Sequence, residues 1–300
     1  MPPYIACSKS RKVTIKINEL LKRAFRKKFQ SFILNADDTK SFSKQDIKTT
    51  WLKIYSNECE MTLIVKEIQA KTILSVSKIY PYVINPYTGC QHACSYCYAR
   101  FMKRVTGHKE PWGEFVDVKI NAADLLRGEI KKKKRGRVWV SGVCDPYQPL
   151  EAKYKLTRQC LEILAQNNWP VIIQTRSPLV LRDIDIIKEA QDFEVGFSVT
   201  TADDSIRKLF EPHAPPIIDR IKALDELHKA GIRTYAMIAP MLPGAERLAE
   251  LLKGKIDYAL IDRMNYHYAD WVYRKYGLED KLTDDYFYRT KQELASIRGK

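Results

Sequence analysis

Three cysteines stand within eight residues in the run Asn85-Pro-Tyr-Thr-Gly-Cys90-Gln-His-Ala-Cys94-Ser-Tyr-Cys97-Tyr-Ala-Arg100, spaced C-x3-C-x2-C. Three thiolates this close can each hold one iron of a four-iron cluster and leave the fourth iron without a protein ligand. A cluster with four cysteine ligands is coordinatively closed and suits electron transfer. A cluster with one open iron can bind a small molecule there and pass it an electron.

Other uses of the three thiols fit less well. A structural zinc site takes four ligands, and the fourth would have to be His92, inside the same short loop, or the distant Cys144. A disulfide with a spare thiol belongs to an oxidising compartment. The ferredoxin run is C-x2-C-x2-C-x3-C, a different spacing. The expectation is therefore a [4Fe-4S] cluster held by Cys90, Cys94 and Cys97.

Such a loop needs a scaffold, and the scaffold is readable from Pro81 onward. Short runs rich in Val and Ile alternate with helical stretches. The strand candidates are 82–85, 137–141, 171–175, 194–200, 233–239 and 258–262. Between them, 156–166 and 217–231 show helical spacing of Leu and Ile, with Gly231 closing the second. Strands alternating with helices predict a parallel sheet, here an α/β fold in the form of a partial (β/α)6 TIM-like barrel. In barrels the chemistry sits at the C-terminal ends of the strands. The cluster loop follows the first strand and falls on that face. Three parts are expected: a basic N-terminal extension over 1–75, the barrel over 76–265, and an aromatic, charged, helical C-terminal tail over 266–300.

The 300 residues include 51 Lys and Arg against 36 Asp and Glu, a net charge of +15. Residues 1–79 hold 16 of the basic and 7 of the acidic residues, so +9 of the excess precedes the cluster. A basic amphipathic helix is expected over 17–29, polar turns over 35–50, and a strand over 61–68. The cationic run Lys131–Arg137 is expected at a helix C-terminus, with Gly136 as the left-handed exit. No stretch of 18 apolar residues predicts a membrane span. Nor does the N-terminus show the apolar core of a signal peptide. A cytoplasmic protein is the expectation.

The cysteine motif, taken together with later segments, resembles the radical S-adenosylmethionine (radical SAM) superfamily. Within it the chain resembles the spore photoproduct lyase group and its DNA-repair-photolyase-like relatives. The resemblance runs from about residue 70 to 244. It rests on 85–100, on Ser141-Gly-Val-Cys144-Asp-Pro-Tyr-Gln-Pro-Leu-Glu151, on Gln174-Thr-Arg176-Ser-Pro, on Gly196-Phe-Ser198-Val-Thr200, on Glu211-Pro-His-Ala-Pro and on Ile238-Ala-Pro240-Met. After Cys144 the sequence follows the relatives rather than the lyase.

The resemblance implies roles. Cys90, Cys94 and Cys97 bind iron, and S-adenosylmethionine binds the open iron. Tyr96 lies near the adenine. Arg176 meets the carboxylate of S-adenosylmethionine, which a guanidinium can grip with two parallel hydrogen bonds. Ser198 touches the ribose. Asp145 either meets the methionine amino group or caps the next element. Cys144 returns a hydrogen atom to a product radical, with Tyr96 and Tyr98 in the relay. Without the resemblance, Arg176 reads as a surface salt bridge, Ser198 as a turn hydroxyl and Cys144 as a packed thiol. Glu211 and Arg220 are expected to tie a loop to a helix. His92, His108 and His213 are isolated histidines.

The implied activity is reductive cleavage of S-adenosylmethionine to a 5′-deoxyadenosyl radical, driven by an external one-electron reductant of flavodoxin or ferredoxin type. The basic excess points to a polyanionic partner, DNA or RNA. A peptide or small metabolite is the alternative substrate, and a non-catalytic iron–sulfur nucleic-acid-binding or redox-sensing protein is the alternative of another class. Deleting residues 1–79 is expected to weaken binding to DNA or RNA and flatten its dependence on salt. Unchanged affinity and slope in a filter-binding titration would make the segment a structural or solubilising element.

Overall fold

Short β-branched runs flanked by turn residues become strands, and the central ones, such as Val171–Thr175 and Phe193–Ser198, are buried on both faces. In a computed structural model of the chain, which describes residues 13–15 and 63–297, the strands are β1 (Val13–Ile15), β2 (Leu63–Ile68), β3 (Ser75–Val76), β4 (Tyr82–Ile84), β5 (Tyr87–Thr88), β6 (Phe115–Lys119), β7 (Val138–Val140), β8 (Val171–Thr175), β9 (Phe193–Ser198), β10 (Arg233–Ile238) and β11 (Tyr258–Ile261). The described residues Val13–Ile15 and Leu63–Val65 fall in one unit, in which β1 pairs antiparallel with the start of β2. The described residues from Lys66 onward belong to the other unit. The expected helix over 17–29 and most of the 1–75 extension lie outside the described residues.

The main sheet runs β11-β10-β9-β8-β7-β4-β3. Its six strands from β4 to β11 are parallel, and β3 is an antiparallel edge beside β4. β4 and β11 do not pair, so the (β/α)6 barrel is partial, as expected. Ile84, Val140, Ile173 and Val195 are register partners in a row across four strands, each with no exposed surface. Such a row, apolar on both sides, is what a parallel sheet covered by helices requires. Helices Leu156–Gln166 and Ile217–Lys229 stand where the periodicity puts them.

Two expectations change. The cationic run does follow a helix C-terminus, that of Ala122–Glu129 with Ile130 as its cap, but Gly136 is not left-handed. Two of its cations also act as tethers, Lys133 to the Leu74 carbonyl and Arg135 to the Asn168 carbonyl. Second, β5 and β6 pair antiparallel beside the cluster loop, an addition the βα alternation did not suggest. The tail forms helices Asp270–Tyr276 and Asp284–Glu293. The first packs Val272 and Tyr273 against Cys94, Tyr96 and Phe210, and the second buries Tyr286 and Phe287 in the main core. Among the described residues no helix is long and apolar enough to cross a membrane.

One close approach fixes the sheet's middle. A Cβ on Gly196 would fall inside the ring of Tyr235 on the neighbouring strand, and that ring stacks on Tyr258 at 5.3 Å. Overpacking of this kind costs about 1–3 kcal/mol. Gly196→Ala should therefore lower the unfolding free energy by that amount, measured by urea denaturation with an unchanged m value.

Candidate active site

Four strand ends deliver the site. The cluster loop leaves β4, Ser141–Cys144 leaves β7, Arg176 leaves β8 and Ser198 ends β9. Because these strands are parallel, all four deliver side chains to one edge of the sheet.

The loops are braced before any ligand arrives. Asn85 Oδ1 accepts from Ser141 Oγ at 2.6 Å and from the backbone N–H groups of Gly142 and Val143 at 2.8 and 3.0 Å. Gln91 and Gln148, both buried, cross-tie the cluster loop to the loop after Cys144. Gln148 Oε1 accepts the Gln91 N–H at 3.1 Å, and Gln91 Oε1 accepts the Leu150 N–H at 2.9 Å. Gly89 turns the chain into Cys90 at φ +90°, where a Cβ would strike the Phe115 carbonyl. Glycine alone takes that turn without strain.

Cys90 and Cys94 are buried and Cys97 is partly so. Burial pushes the Cys94 thiol up to about 12, with Arg176 opposing it and Cys97 adding to it. Burial likewise raises Cys90, and the neighbouring Asp145, Cys94 and Cys97 add to the rise. Burial raises Cys97 too, against the pull of the Ala99 N–H and of Arg176. Such thiols become thiolates only beside a strong positive charge, which a bound metal supplies. Buried polar atoms without partners gather here: His92 Nδ1, Ser95 Oγ, Arg100 Nε and Trp112 Nε1. Among the described residues no three His, Cys, Asp or Glu side chains converge as the ligands of a single ion do. A multi-iron cluster spreads its thiolates over separate irons, so the three-thiol donor set fits that group.

Behind the thiols lies a buried ionic knot. Glu211 accepts from Arg220 Nη2 at 2.5 Å, Thr200 Oγ1 at 3.0 Å, Arg176 Nε at 3.3 Å and the Tyr96 hydroxyl. Arg176 Nη2 also donates to the Tyr96 hydroxyl at 3.0 Å. The reading of Arg176 as a surface pair is therefore replaced: its partner is fully buried and its own side chain is 18% exposed. Nη1 has no protein partner among the described residues, which leaves one edge of the guanidinium for a ligand. Ser198, 1% exposed, accepts from Gln174 Nε2 at 3.3 Å and keeps its own hydroxyl hydrogen.

Asp145 is occupied by the protein. Its Oδ1 accepts from Thr175 Oγ1 at 2.6 Å and the Tyr147 N–H at 2.9 Å, and its Oδ2 accepts the Arg176 N–H at 2.7 Å. The Tyr147 N–H contact is the geometry that the capping alternative expected. His92 Nδ1 stands 3.5 Å from Asp145 Oδ2, and burial drops its pKa to about 4, with Asp145 working the other way. It is neutral at pH 7. His108 is held between Glu110 at 2.8 Å and Asp117 at 3.0 Å.

Cys144 Sγ lies 3.0 Å from Ser141 Oγ, and burial pushes its thiol up to about 12. Tyr98 donates its hydroxyl to the Gly142 carbonyl, in the same loop. Burial raises the Tyr98 hydroxyl to about 12, and both Cys97 and Cys144 add to the rise, which places Tyr98 within the electrostatic reach of both. The structure thus brings together the three cluster cysteines, Tyr96, Tyr98, Arg176 and Cys144. The expected tie of Glu211 to Arg220 forms, but sequence reasoning missed that Glu211 also gathers Tyr96, Arg176 and Thr200, and it missed the bracing roles of Asn85, Gln91 and Gln148. Their only signal was presence inside the segments that carry the family resemblance.

Residues 84–252 match the radical SAM superfamily. The chain belongs to that superfamily. Membership implies a [4Fe-4S] cluster and S-adenosylmethionine. An uncharacterized protein of Methanocaldococcus jannaschii is 40% identical over 179 residues, 59% of this chain and 67% of that one. An uncharacterized protein of Mycobacterium tuberculosis is 32% identical over 185 residues, 58% of this chain and 54% of that one. The chain thus spans about half to two thirds of these relatives. Among solved structures, spore photoproduct lyase complexed with dinucleoside spore photoproduct shares the fold, with a TM-score of 0.59 and 16% identity over 93% of this chain and 91% of that one.

The ionic knot has a measurable signature. Burial alone would raise the Glu211 carboxyl, but Arg220, Arg176 and the Tyr96 hydrogen bond hold it down from 4.5 to about 2. Its stabilising contribution is complete above pH 4.5 and fades as pH falls toward 2. Removing one partner of a buried pair costs about 3–5 kcal/mol. Arg220→Met should fall at the lower end, because Arg176 remains. Urea denaturation from pH 7 to 3 should show the loss, and Glu211→Gln should flatten the acid limb.

Proposed function

We propose that this protein reductively cleaves S-adenosylmethionine and uses the resulting 5′-deoxyadenosyl radical to abstract hydrogen from a nucleic-acid substrate. The observation that carries the reading is the meeting of three thiols, two buried and one partly so, with Arg176 at the parallel strand ends. Cys90, Cys94 and Cys97 hold the cluster, which when bound supplies the electron that splits the cofactor. The free Nη1 edge of Arg176 takes the methionine carboxylate. Glu211 fixes that guanidinium, and the Asp145 carboxylate fixes its backbone. Tyr96 packs beside the adenine, and the Ser198 hydroxyl hydrogen meets a ribose oxygen. Asp145 is assigned the positioning part of its two expected roles.

Cys144 is assigned the return of a hydrogen atom to the product radical. A thiol with its pKa pushed up to about 12 keeps its hydrogen at neutral pH, and an S–H bond is weak enough to quench a carbon radical. Tyr98 lies beside it as the next hydrogen source. The nucleic-acid assignment is supported by the net charge of +15 and by the dinucleoside bound to the lyase of similar fold. The division into an extension (1–75), barrel (76–265) and tail (266–300), and a cytoplasmic location, belong to the same reading.

Anaerobically reconstituted protein should carry about four irons per chain and form 5′-deoxyadenosine with dithionite and S-adenosylmethionine. Cys94→Ala should lose both iron and product. Cys144→Ala should keep both, and should shift the product distribution when oligonucleotides are supplied and analysed by mass spectrometry. Full iron content and cleavage in Cys94→Ala would sink the ligand assignment.

A further inference from the structure

An open groove of about 940 Å³ runs along the outside of the cluster loop. Its cations are Arg100, Lys103 and Arg104, and no acidic residue lines it. Of the carboxylates on the adjoining elements, Glu110 and Asp117 are engaged by His108, and Asp270 is engaged by His267 through Oδ2 while its Oδ1 is buried without a partner. Two of its walls are rings left open to solvent, Trp271 at 52% and Phe101 at 44% exposure. Arg100 lies over the Tyr268 ring at 4.8 Å. Two buried donors in this wall, Ser95 Oγ and Arg100 Nε, have no partner, although Ser95 is only 8% exposed. A concave, cationic, aromatic surface with unspent donors is complementary to an acidic partner.

Position decides which acidic partner. Ala93 and Ser95, the two residues flanking Cys94, form part of the wall, and so does Trp112. Trp112 Nε1 is buried there without a partner. None of Tyr96, Cys144, Arg176 or Ser198 lines the groove. An occupant would therefore lie against the backbone that carries Cys94 without touching the residues assigned to cofactor and hydrogen transfer. That is the place for electron delivery rather than for substrate.

We propose that this groove is the docking surface for a small acidic one-electron carrier protein, bearing a flavin or an iron–sulfur centre, whose reducing electron enters at the Cys94–Cys97 side of the loop. This rests on the reading that the three thiols hold a four-iron cluster. The transfer is one electron: the carrier is oxidised by one, the cluster is reduced by one, and no bond forms or breaks. Arg100, Lys103 and Arg104 supply the attraction, and Trp271 and Tyr268 supply the apolar contact at its centre.

The test uses the full chain with flavodoxin and its NADPH-dependent reductase. Lys103→Glu/Arg104→Glu should weaken flavodoxin binding, measured by anisotropy, and flavodoxin-driven 5′-deoxyadenosine formation, each by roughly tenfold. Dithionite is small and needs no docking surface, so the dithionite-driven rate should stay within about twofold. Lys131→Glu/Lys132→Glu, the same charge change outside the groove, should leave both intact. Equal loss with flavodoxin and dithionite, or no loss with either, overturns the proposal. So does a variant that binds flavodoxin normally but loses affinity for a single-stranded oligonucleotide, which would make the groove a nucleic-acid site. If the unaltered protein forms no 5′-deoxyadenosine even with dithionite, the functional reading fails. The anisotropy measurement, which needs no turnover, still decides the docking surface.

Discussion

A fully buried carboxylate with two guanidiniums is the constraint around which the site is arranged. Glu211 cannot sit in the interior as a charge without partners, because the desolvation of a lone carboxylate is far larger than any single hydrogen bond repays. Its partners come from separate parts of the chain: Tyr96 from the cluster loop, Arg176 from the end of β8, Thr200 from beyond β9 and Arg220 from helix Ile217–Lys229. Satisfying one oxygen pair therefore fixes the relative position of the cluster loop, two strand ends and a helix. Arg220 extends the same logic by donating to the Ser198 carbonyl at 2.9 Å, so the strand end that presents the Ser198 hydroxyl is held by the same residue that neutralises Glu211.

The second layer of order is neutral. Asn85, Gln91 and Gln148 use carboxamides, each able to donate and accept, to join loops that secondary structure leaves unpaired. These bonds matter because the loops are buried, and a buried backbone N–H without an acceptor is costly. The tail completes the enclosure from outside, with Val272 and Tyr273 packed against Cys94 and Tyr96. Charge sets where the loops stand; carboxamides set their shape; the tail keeps water from part of them.

The sequence announced the parts whose signals are local. The cysteine spacing, the six parallel strands and the two long helices were all legible, since each is written in consecutive residues. The order β4-β7-β8-β9-β10-β11 followed from βα alternation. What was not legible depends on distance along the chain. Tyr96 and Glu211 are 115 residues apart and Gln91 and Gln148 57, and nothing in either neighbourhood encodes the meeting. β5 was missed because two residues carry no periodicity, and the left-handed exit at Gly136 was misjudged because a glycine after a helix suits that exit without requiring it. Asp145 was left between two roles, and its bonds to Thr175, Tyr147 and Arg176 depend on chain segments that its own neighbourhood does not encode.

Asn85 holds the Ser141–Cys144 loop chiefly through backbone, receiving the N–H groups of Gly142 and Val143. A clamp on main-chain atoms is indifferent to what side chain stands at position 144. The loop's path is thus inherited separately from the chemistry it displays, and a lineage could exchange the thiol there for a hydroxyl or a methyl group without rebuilding the barrel mouth. Diversification of reaction type would then cost a single codon, with the radical-generating half of the molecule left untouched.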